Sequence, residues 1–491
     1  MSKHDEKPSD KTASTNGDSG EATKLELQDQ LSIADHEILV HGRPLHYTST
    51  TGTFVIKDEA GKAKSTIFFI AYTKRDVEDQ STRPITFSFN GGPGSSSVWL
   101  HLGLLGPRRI DSGDVGNMQP PPYRLLDNDH TLLDISDLVF IDPVSTGYSR
   151  PAPGEESKQF HGLENDITSV GDFIRLYVTR YKRWSSPKFL IGESYGTTRA
   201  AGLSGYLQNR HGLYLNGLML VSAILNFQTA RFNLGNDLPY ILFLPTYAAT
   251  AHYHGQVAEE YRTDLRGFLA EVVDFAANEY TLALMKGDRL AGTERTQIVT
   301  KLARYTGLST EYIESTNLRI NIHRFCKELL RKERRTVGRI DSRFQGIDRD
   351  ASSQTFEHDP SMSAIIGPYA GAFNAYVAEE LAFASDLPYE VMTSLYETWD
   401  YSKHQNQYVN VAETMREAMS KNPALKVLVA NGYYDLATPY FATEYTFDHL
   451  ELDSGLRENI TMTYYEAGHM MYIHDESLAQ LATDLRDFVQ R

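Results

Sequence analysis

Lys188-Phe189-Leu190-Ile191-Gly192-Glu193-Ser194-Tyr195-Gly196 decides how the rest of the chain is read. The apolar run through Ile191 predicts a short buried strand. It leads straight into Gly-x-Ser-x-Gly, the pattern of a sharp strand-to-helix turn that lifts a serine out of a sheet. Glycine on both sides of the serine has a steric reason, because such a corner leaves little room for side chains around a nucleophile. Alone the pentapeptide is a weak signal, since an ordinary glycine-rich turn with Ser194 as a cap has the same spelling. Its surroundings carry the decision.

A chain of 491 residues exceeds one simple core, so a large domain carrying an insertion, or two domains, is expected. Net charge is -16, from 48 Lys+Arg against 64 Asp+Glu. That argues against a nucleic-acid partner, which needs a basic surface to meet phosphates. Cys326 is the only cysteine, so no intramolecular disulfide can form, which suits a reducing compartment. Met1 to Thr23 is polar and has almost no large apolar residue. Residues 1–25 are therefore expected to be a disordered tail without the apolar centre of a signal peptide. No later segment has the length of apolar residues that spans a bilayer. The expectation is a soluble, cytoplasmic protein with no membrane partner.

From His36 the chain turns β-rich, through Glu37 to Val40, Thr53 to Ile56 and Thr66 to Tyr72. Ala60-Gly61-Lys62 marks a hairpin between the last two, so antiparallel strands at one sheet edge are expected. Pro84 to Phe89 then runs into Asn90-Gly91-Gly92-Pro93-Gly94-Ser95-Ser96-Ser97, a loop whose glycines let backbone NH groups approach an anion. A phosphate loop is disfavoured, because no lysine follows in the required register. Leu138 to Ile141, ending in Asp142-Pro143, reads as a strand covered on both faces. Glu164 to Tyr181 has helical spacing through Ile167, Val170, Phe173, Ile174 and Tyr177. A strand, helix, strand unit with a right-handed crossover follows.

Residues 26–230 thus form the first part of a core, and the pattern breaks after Asn226. From 231 to 386 the period is largely helical, as expected of an insert lying over the strand ends as a cap. Its basic run Arg331-Lys332-Glu333-Arg334-Arg335 reads as a solvated helix end or a substrate-steering patch. His252 and His254 lack a nearby third ligand, so no metal is expected. The second part of the core, 387–491, contains Lys426 to Ala430 followed by Asn431-Gly432-Tyr433-Tyr434-Asp435, and Ile460 to Tyr465 followed by Glu466-Ala467-Gly468-His469. Asp435 and His469 therefore sit on loops just past strands, as Ser194 does. In a parallel sheet these loops share one edge, where sites are built.

The chain order Ser194, Asp435, His469 is that of an α/β-hydrolase triad. Asp142 precedes the serine and is demoted. His474 cannot be discarded on spacing alone, but it lacks the small residues of a tight turn before it. The fold class expected is α/β: an α/β-hydrolase fold with a mixed, mostly parallel sheet, helices on both faces and an inserted, mainly helical cap.

The chain resembles the serine carboxypeptidase family, peptidase family S10. The stretches that carry the resemblance are Asn90 to Ser97, Ile141 to Ser149, Gly192 to Gly196, Asn431 to Pro439 and Ala467-Gly468-His469-Met470. The resemblance implies removal of residues from the free carboxyl terminus of peptides, with no metal and no cofactor. It implies Ser194 as nucleophile, His469 as base and Asp435 as its orienting partner, through an acyl-enzyme. Backbone NH groups of Gly91 and Tyr195 are implied as the oxyanion hole. Asn90 and a protonated Glu193 are implied to bind the substrate carboxylate.

Several positions depart from the family's pattern. Ser95 stands where cysteine is usual, and Thr197 where a second glycine is usual. The motif beginning at Asp142 lacks its usual glutamine. An acidic residue of the carboxylate-binding network maps to Leu104, and the usual tryptophan to Ser88. An esterase or acyltransferase with the same triad is therefore the alternative chemistry. A catalytically silent binding protein on the same scaffold is the alternative outside chemistry, against which the intact triad speaks.

Overall fold

A computed structural model describes residues 27–491 apart from 112 and 116. The tail expected over 1–25 lies outside the described residues. A ten-stranded sheet organises the chain. Nine of its strands form a continuous path: β1 (Gln30–Val40), β2 (Arg43–Lys57), β3 (Ala63–Lys74), β4 (Ile85–Phe89), β5 (Asp137–Ile141), β6 (Lys188–Glu193), β7 (Gly217–Val221), β8 (Lys426–Gly432) and β9 (Ile460–Tyr465), with Arg150–Pro151 added against β3. Their spatial order is β1-β2-β3-β5-β4-β6-β7-β8-β9.

Strands β1 to β3 are antiparallel, and β3 joins β5 antiparallel. From β5 to β9 every pairing is parallel. The hairpin between β2 and β3 closes where the sequence marks it, with Asp58 N–H donating to Lys62 O at 3.0 Å and Gly61 at φ 83°. That positive φ is what glycine supplies without steric cost.

The β4, β5, β6 and β7 segments are buried along their whole length, as expected of parallel strands sandwiched between helices. Alternation still sorts their side chains. Leu138 and Phe140 enter one apolar layer, Val139 and Ile141 the other, because successive strand residues point to opposite faces. Helix α1 (Leu163–Arg180) covers the second layer with Val170, Phe173, Ile174 and Tyr177, the i, i+3, i+4, i+7 stripe read from the sequence. Helix α2 (Tyr195–His211) adds Ala200, Leu203 and Leu207 to that layer.

The interval 231–386 contributes to two apolar clusters. Its first half is helical, with α3 (Leu238–Tyr253), α4 (Leu265–Phe275) and α5 (Gly292–Thr306). These bury Phe243, Tyr247, Phe268 and Leu302 in a third apolar cluster, joined by Phe325 from the short helix Ile322–Glu328 and by Tyr433, Leu436 and Tyr440 from the last third of the chain. From Ile340 onward the buried apolar residues Ile340, Phe344 and Ile365 pack with the sheet instead, while Phe356 stays with the third cluster. Helix α6 (Pro360–Glu379) sends Tyr369, Phe373 and Tyr376 into the first apolar layer, where the Tyr369 ring lies 4.8 Å from that of Trp99. Helical periodicity identifies which residues are buried, not which neighbour buries them. No helix among the described residues is long and apolar enough to cross a membrane.

Candidate active site

Strand β6 ends at Glu193 and helix α2 begins at Tyr195, so Ser194 is the entire corner. Its backbone is held at φ 60°, ψ -129°, a conformation non-glycine residues avoid unless the surroundings impose it. The surroundings do so: Ser194 N–H donates to Val221 O at 3.0 Å and Thr197 N–H to Ser194 O at 2.9 Å. A Cβ on Gly192 would collide with the carbonyl of Gly196, and one on Gly196 would stand 2.8 Å from the carbonyl of Phe89. Both glycines of the pentapeptide are therefore required by close backbone approach.

The loops after β4, β6, β8 and β9 gather at one edge of the sheet, where Asn90, Gly91, Glu193, Ser194, Tyr195 and His469 line a cavity of about 660 Å³. Asp435 lies behind His469, wholly buried. Its Oδ2 accepts the His469 Nδ1 hydrogen at 2.7 Å. Asp435 also accepts the backbone N–H groups of Ala437 and Thr438 at 2.8 and 3.0 Å and the Thr438 hydroxyl at 2.7 Å. A carboxylate so surrounded offers only acceptors, which fixes the hydrogen of the imidazole on Nδ1 and leaves Nε2 as the basic nitrogen. Burial by itself would depress the His469 imidazole. Asp435 and its hydrogen bond outweigh that and hold it above its ordinary value, with Glu193 adding to the effect and Arg339 opposing it.

Gly91 runs so close under the corner that a Cβ there would strike the amide nitrogen of Tyr195. That nitrogen belongs to the first residue of α2, whose N–H has no partner four residues back. The backbone of Gly91 thus lies against the Tyr195 amide at the positive end of a helix, a place that suits a developing negative charge.

Glu193 is 4% exposed. Its Oε1 accepts from Asn90 Nδ2 at 3.0 Å and its Oε2 from the Tyr472 hydroxyl at 2.6 Å. The Asn90 amide cannot turn over, because its Oδ1 accepts the Leu100 N–H at 3.1 Å. Burial pushes the Glu193 carboxyl up from 4.5 to about 7, against the downward pull of His469 and the Tyr472 hydrogen bond. An acid that ionises only near neutrality can share its proton with a second carboxylate, the condition for recognising one.

Tyr472 escaped the sequence reading. The position mapped to an acidic residue, Leu104, is instead buried in the apolar layer, and the second partner of Glu193 arrives from the turn after His469. Gly103 makes the space: a Cβ on it would run into the Tyr472 ring. Glycine beside Leu104 is the signal that was available. Trp99, bonded through Nε1 to Ser95 Oγ at 2.8 Å, lines the cavity, while Ser88, mapped to the family's tryptophan, is buried within β4. Arg199 also went unnoticed. It donates two hydrogen bonds to Asp166, at 2.8 and 3.1 Å, and a third to the carbonyl of Asn90 at 2.6 Å.

Other candidates fall away from the site. Asp142 accepts the Ser97 N–H and hydroxyl, both at 2.8 Å, and holds the start of the turn after the glycine loop. His474 pairs with Ser477 Oγ at 2.8 Å at the start of the last helix. Arg331 is engaged by Glu328 and by the carbonyls of Ala351 and Ser353, and the basic run 331–335 does not line the cavity. His254 bonds to the carbonyl of Ser342 at 2.7 Å. Among the described residues no group of three His, Cys, Asp or Glu is placed to hold a metal ion.

Comparison with known proteins adds the lineage. The family model described as serine carboxypeptidase matches residues 44–479. Serine carboxypeptidase-like 45 of Arabidopsis thaliana is 24% identical over 277 residues, 52% of this chain and 55% of that protein. The pheromone-processing carboxypeptidase KEX1 of Saccharomyces cerevisiae is 30% identical over 145 residues, 28% of this chain and 19% of that one. The matched stretch thus spans about half the length of the first relative and less of the second. Among solved structures, the prohormone-processing carboxypeptidase Kex1Δp of Saccharomyces cerevisiae superposes with a TM-score of 0.58 at 17% identity, over 90% of this chain and 91% of that one. The chain belongs to the serine carboxypeptidase family and has its α/β-hydrolase fold.

Proposed function

We propose that this member of the serine carboxypeptidase family hydrolyses peptides from their free carboxyl terminus through an acyl-enzyme on Ser194. The single observation that carries the reading is Glu193: a buried acid, one residue before the nucleophile, clamped by Asn90 and Tyr472 and titrating near 7. Ester hydrolysis has no use for such a group. A substrate ending in a carboxylate does, because the pair shares one proton across a short hydrogen bond.

In the proposed sequence, His469 Nε2 takes the proton of Ser194 Oγ as the oxygen attacks the scissile carbonyl. Asp435 keeps the imidazole in its tautomer and stabilises its protonated form. Amides of Gly91 and Tyr195 receive the oxyanion. His469 then returns the proton to the leaving amine, the free residue departs, and water attacks the acyl-enzyme by the same base. Asn90 and Glu193 hold the terminal carboxylate, which sets the distance between chain end and Ser194. No metal or cofactor enters the scheme.

The lone cysteine, buried in the insert, favours a reducing, cytoplasmic location, to be tested by fractionation. The activity test compares a blocked dipeptide, its carboxyl amide and an acyl ester of the same acid. Preference for the free acid below neutral pH supports the proposal. Equal or better hydrolysis of ester and amide at every pH would move the assignment to an esterase. Absence of labelling by a fluorophosphonate would move it to a silent scaffold.

A further inference from the structure

The insert brings a second kind of charge to the cavity. Arg339-Ile340 is stitched to both triad loops through its backbone: Leu436, next to Asp435, donates its N–H to Arg339 O at 3.1 Å, and His469 donates its own N–H to Ile340 O at 2.8 Å. Two residues on, Ser342 N–H bonds to Tyr434 O at 3.0 Å. Arg339 is thereby carried into the cavity wall beside His469, and its charge is felt at that imidazole.

Its guanidinium has no ion-pair or hydrogen-bond partner among the described residues. Asp359, an acid that lines the same cavity, is occupied otherwise. Both of its oxygens accept backbone N–H groups of Arg339 and Ile340 at 3.2 Å, and Oδ1 also takes the Ser361 N–H at 3.0 Å. Asp359 therefore serves as the clasp of the loop and the cap of α6. The other charged groups at the cavity are Arg231, stacked 5.6 Å over Phe227 on the Tyr195 side, and Glu193. With Glu193 protonated, two arginines face one spoken-for carboxylate. Ile322, Phe356 and Met362 complete this wall, and apolar neighbours strengthen any ion pair formed against them.

We propose that Arg339 is a specificity-determining residue that receives an acidic side chain of the peptide, that of the residue being released. The reading rests on the carboxypeptidase activity above. His469 protonates the leaving amine, so a group held against the His469 loop faces the leaving residue and not the acyl portion. Arginine presents a planar pair of donors matched to a carboxylate. The substrate class is accordingly peptides ending in glutamate or aspartate.

The test measures kcat/KM for blocked dipeptides ending in Glu, Gln or Lys, as free acids and as carboxyl amides, in the wild type, Arg339→Gln, Arg339→Lys and Arg339→Glu. Ratios are read within each protein, so that any general loss cancels. The wild type is expected to favour Glu over Gln by about tenfold, the low end for a hydrogen bond to a charged group. Arg339→Gln brings the ratio to about one, Arg339→Lys keeps a reduced preference for Glu, and Arg339→Glu reverses it towards Lys. A wild-type Glu to Gln ratio near one, or a preference untouched by Arg339→Gln, would overturn the inference while leaving the carboxypeptidase reading standing. If Arg339→Gln instead erased the preference for acid over amide equally for all three residues, Arg339 would bind the terminal carboxylate and the proposal would fall. Hydrolysis of the ester without cleavage of any free-acid peptide would sink both readings together.

Discussion

Replacing Glu193 by glutamine tests the proposed carboxylate site through two independent readouts. Asn90 Nδ2 is locked towards Oε1, so the amide nitrogen of Glu193→Gln must face Tyr472, whose hydroxyl turns to accept. The protonated acid likewise presents a hydrogen on that side, one where the amide carries two, and the variant is therefore a permanently neutral counterpart of Glu193. In the wild type the carboxyl ionises near pH 7. Above that, each pH unit leaves a tenfold smaller protonated fraction, so kcat/KM for a blocked dipeptide at pH 9 falls to about 1% of its plateau. Glu193→Gln loses this alkaline limb, and the amide of the dipeptide lacks it in both proteins. Both keep the acid limb set by His469, which must be neutral to act as base.

Stability provides the second readout. The folded value of Glu193 lies above its ordinary 4.5, so the folded state binds this proton more tightly and the group carries no penalty below pH 4.5. As pH rises from 4.5 to 7 the unfolded chain ionises while the folded one does not. At about 1.4 kcal/mol per pH unit, the gap between 4.5 and about 7 amounts to about 3 kcal/mol of lost stability, constant above pH 7. Urea unfolding at pH 4.5, 6, 7 and 8.5 should therefore show the wild type losing ground to Glu193→Gln by that amount across the window. Parallel stability curves together with an unchanged alkaline limb would refute the buried-acid argument.

Ser194→Ala should reduce turnover by a factor on the order of 10⁶ with no change in melting temperature, since alanine keeps the same Cβ at the strained corner; appreciable residual peptidase activity would dissolve the triad assignment. Tyr472→Phe removes a hydrogen bond that holds the Glu193 carboxyl down, so its alkaline limb should move up by about one pH unit, at roughly 1.4 kcal/mol per unit, in a pH profile of kcat/KM. A fixed limb with lowered activity would make Tyr472 a packing residue only. Arg199→Met strands the buried Asp166 and frees the carbonyl of Asn90, and should cost about 3 to 5 kcal/mol in urea unfolding.

The sheet and the glycine-flanked serine corner were legible because their determinants are local. Strand β6, the corner at Ser194 and the hairpin at Gly61 depend on apolar runs and on glycines within a few residues, and the order Ser194, Asp435, His469 could be weighed without coordinates. The edge shared by Asn90, Ser194 and His469 followed from strands being parallel. Helix α1 occupies Leu163–Arg180, close to the stripe that its apolar residues draw. Boundaries inside the insert were harder. Largely helical periodicity over 231–386 does not mark where a helix such as Leu265–Phe275 begins, which Asp264 sets by capping it through the Gly267 N–H at 2.9 Å.

Legible in short-range patterns of polarity and glycine, then, are a sheet, a candidate nucleophile and the chain order of a candidate triad. Only contacts between distant segments show that Tyr472 clamps Glu193 where Leu104 lines up with an acid, that Tyr369, Phe373 and Tyr376 join an apolar layer of the sheet, and that Arg339, not the conspicuous run at 331–335, lines the cavity. Each of these is a contact between segments far apart in the chain. Burial and charge at such a contact depend on which surfaces meet, and periodicity along one segment contains no information about the surface opposite it.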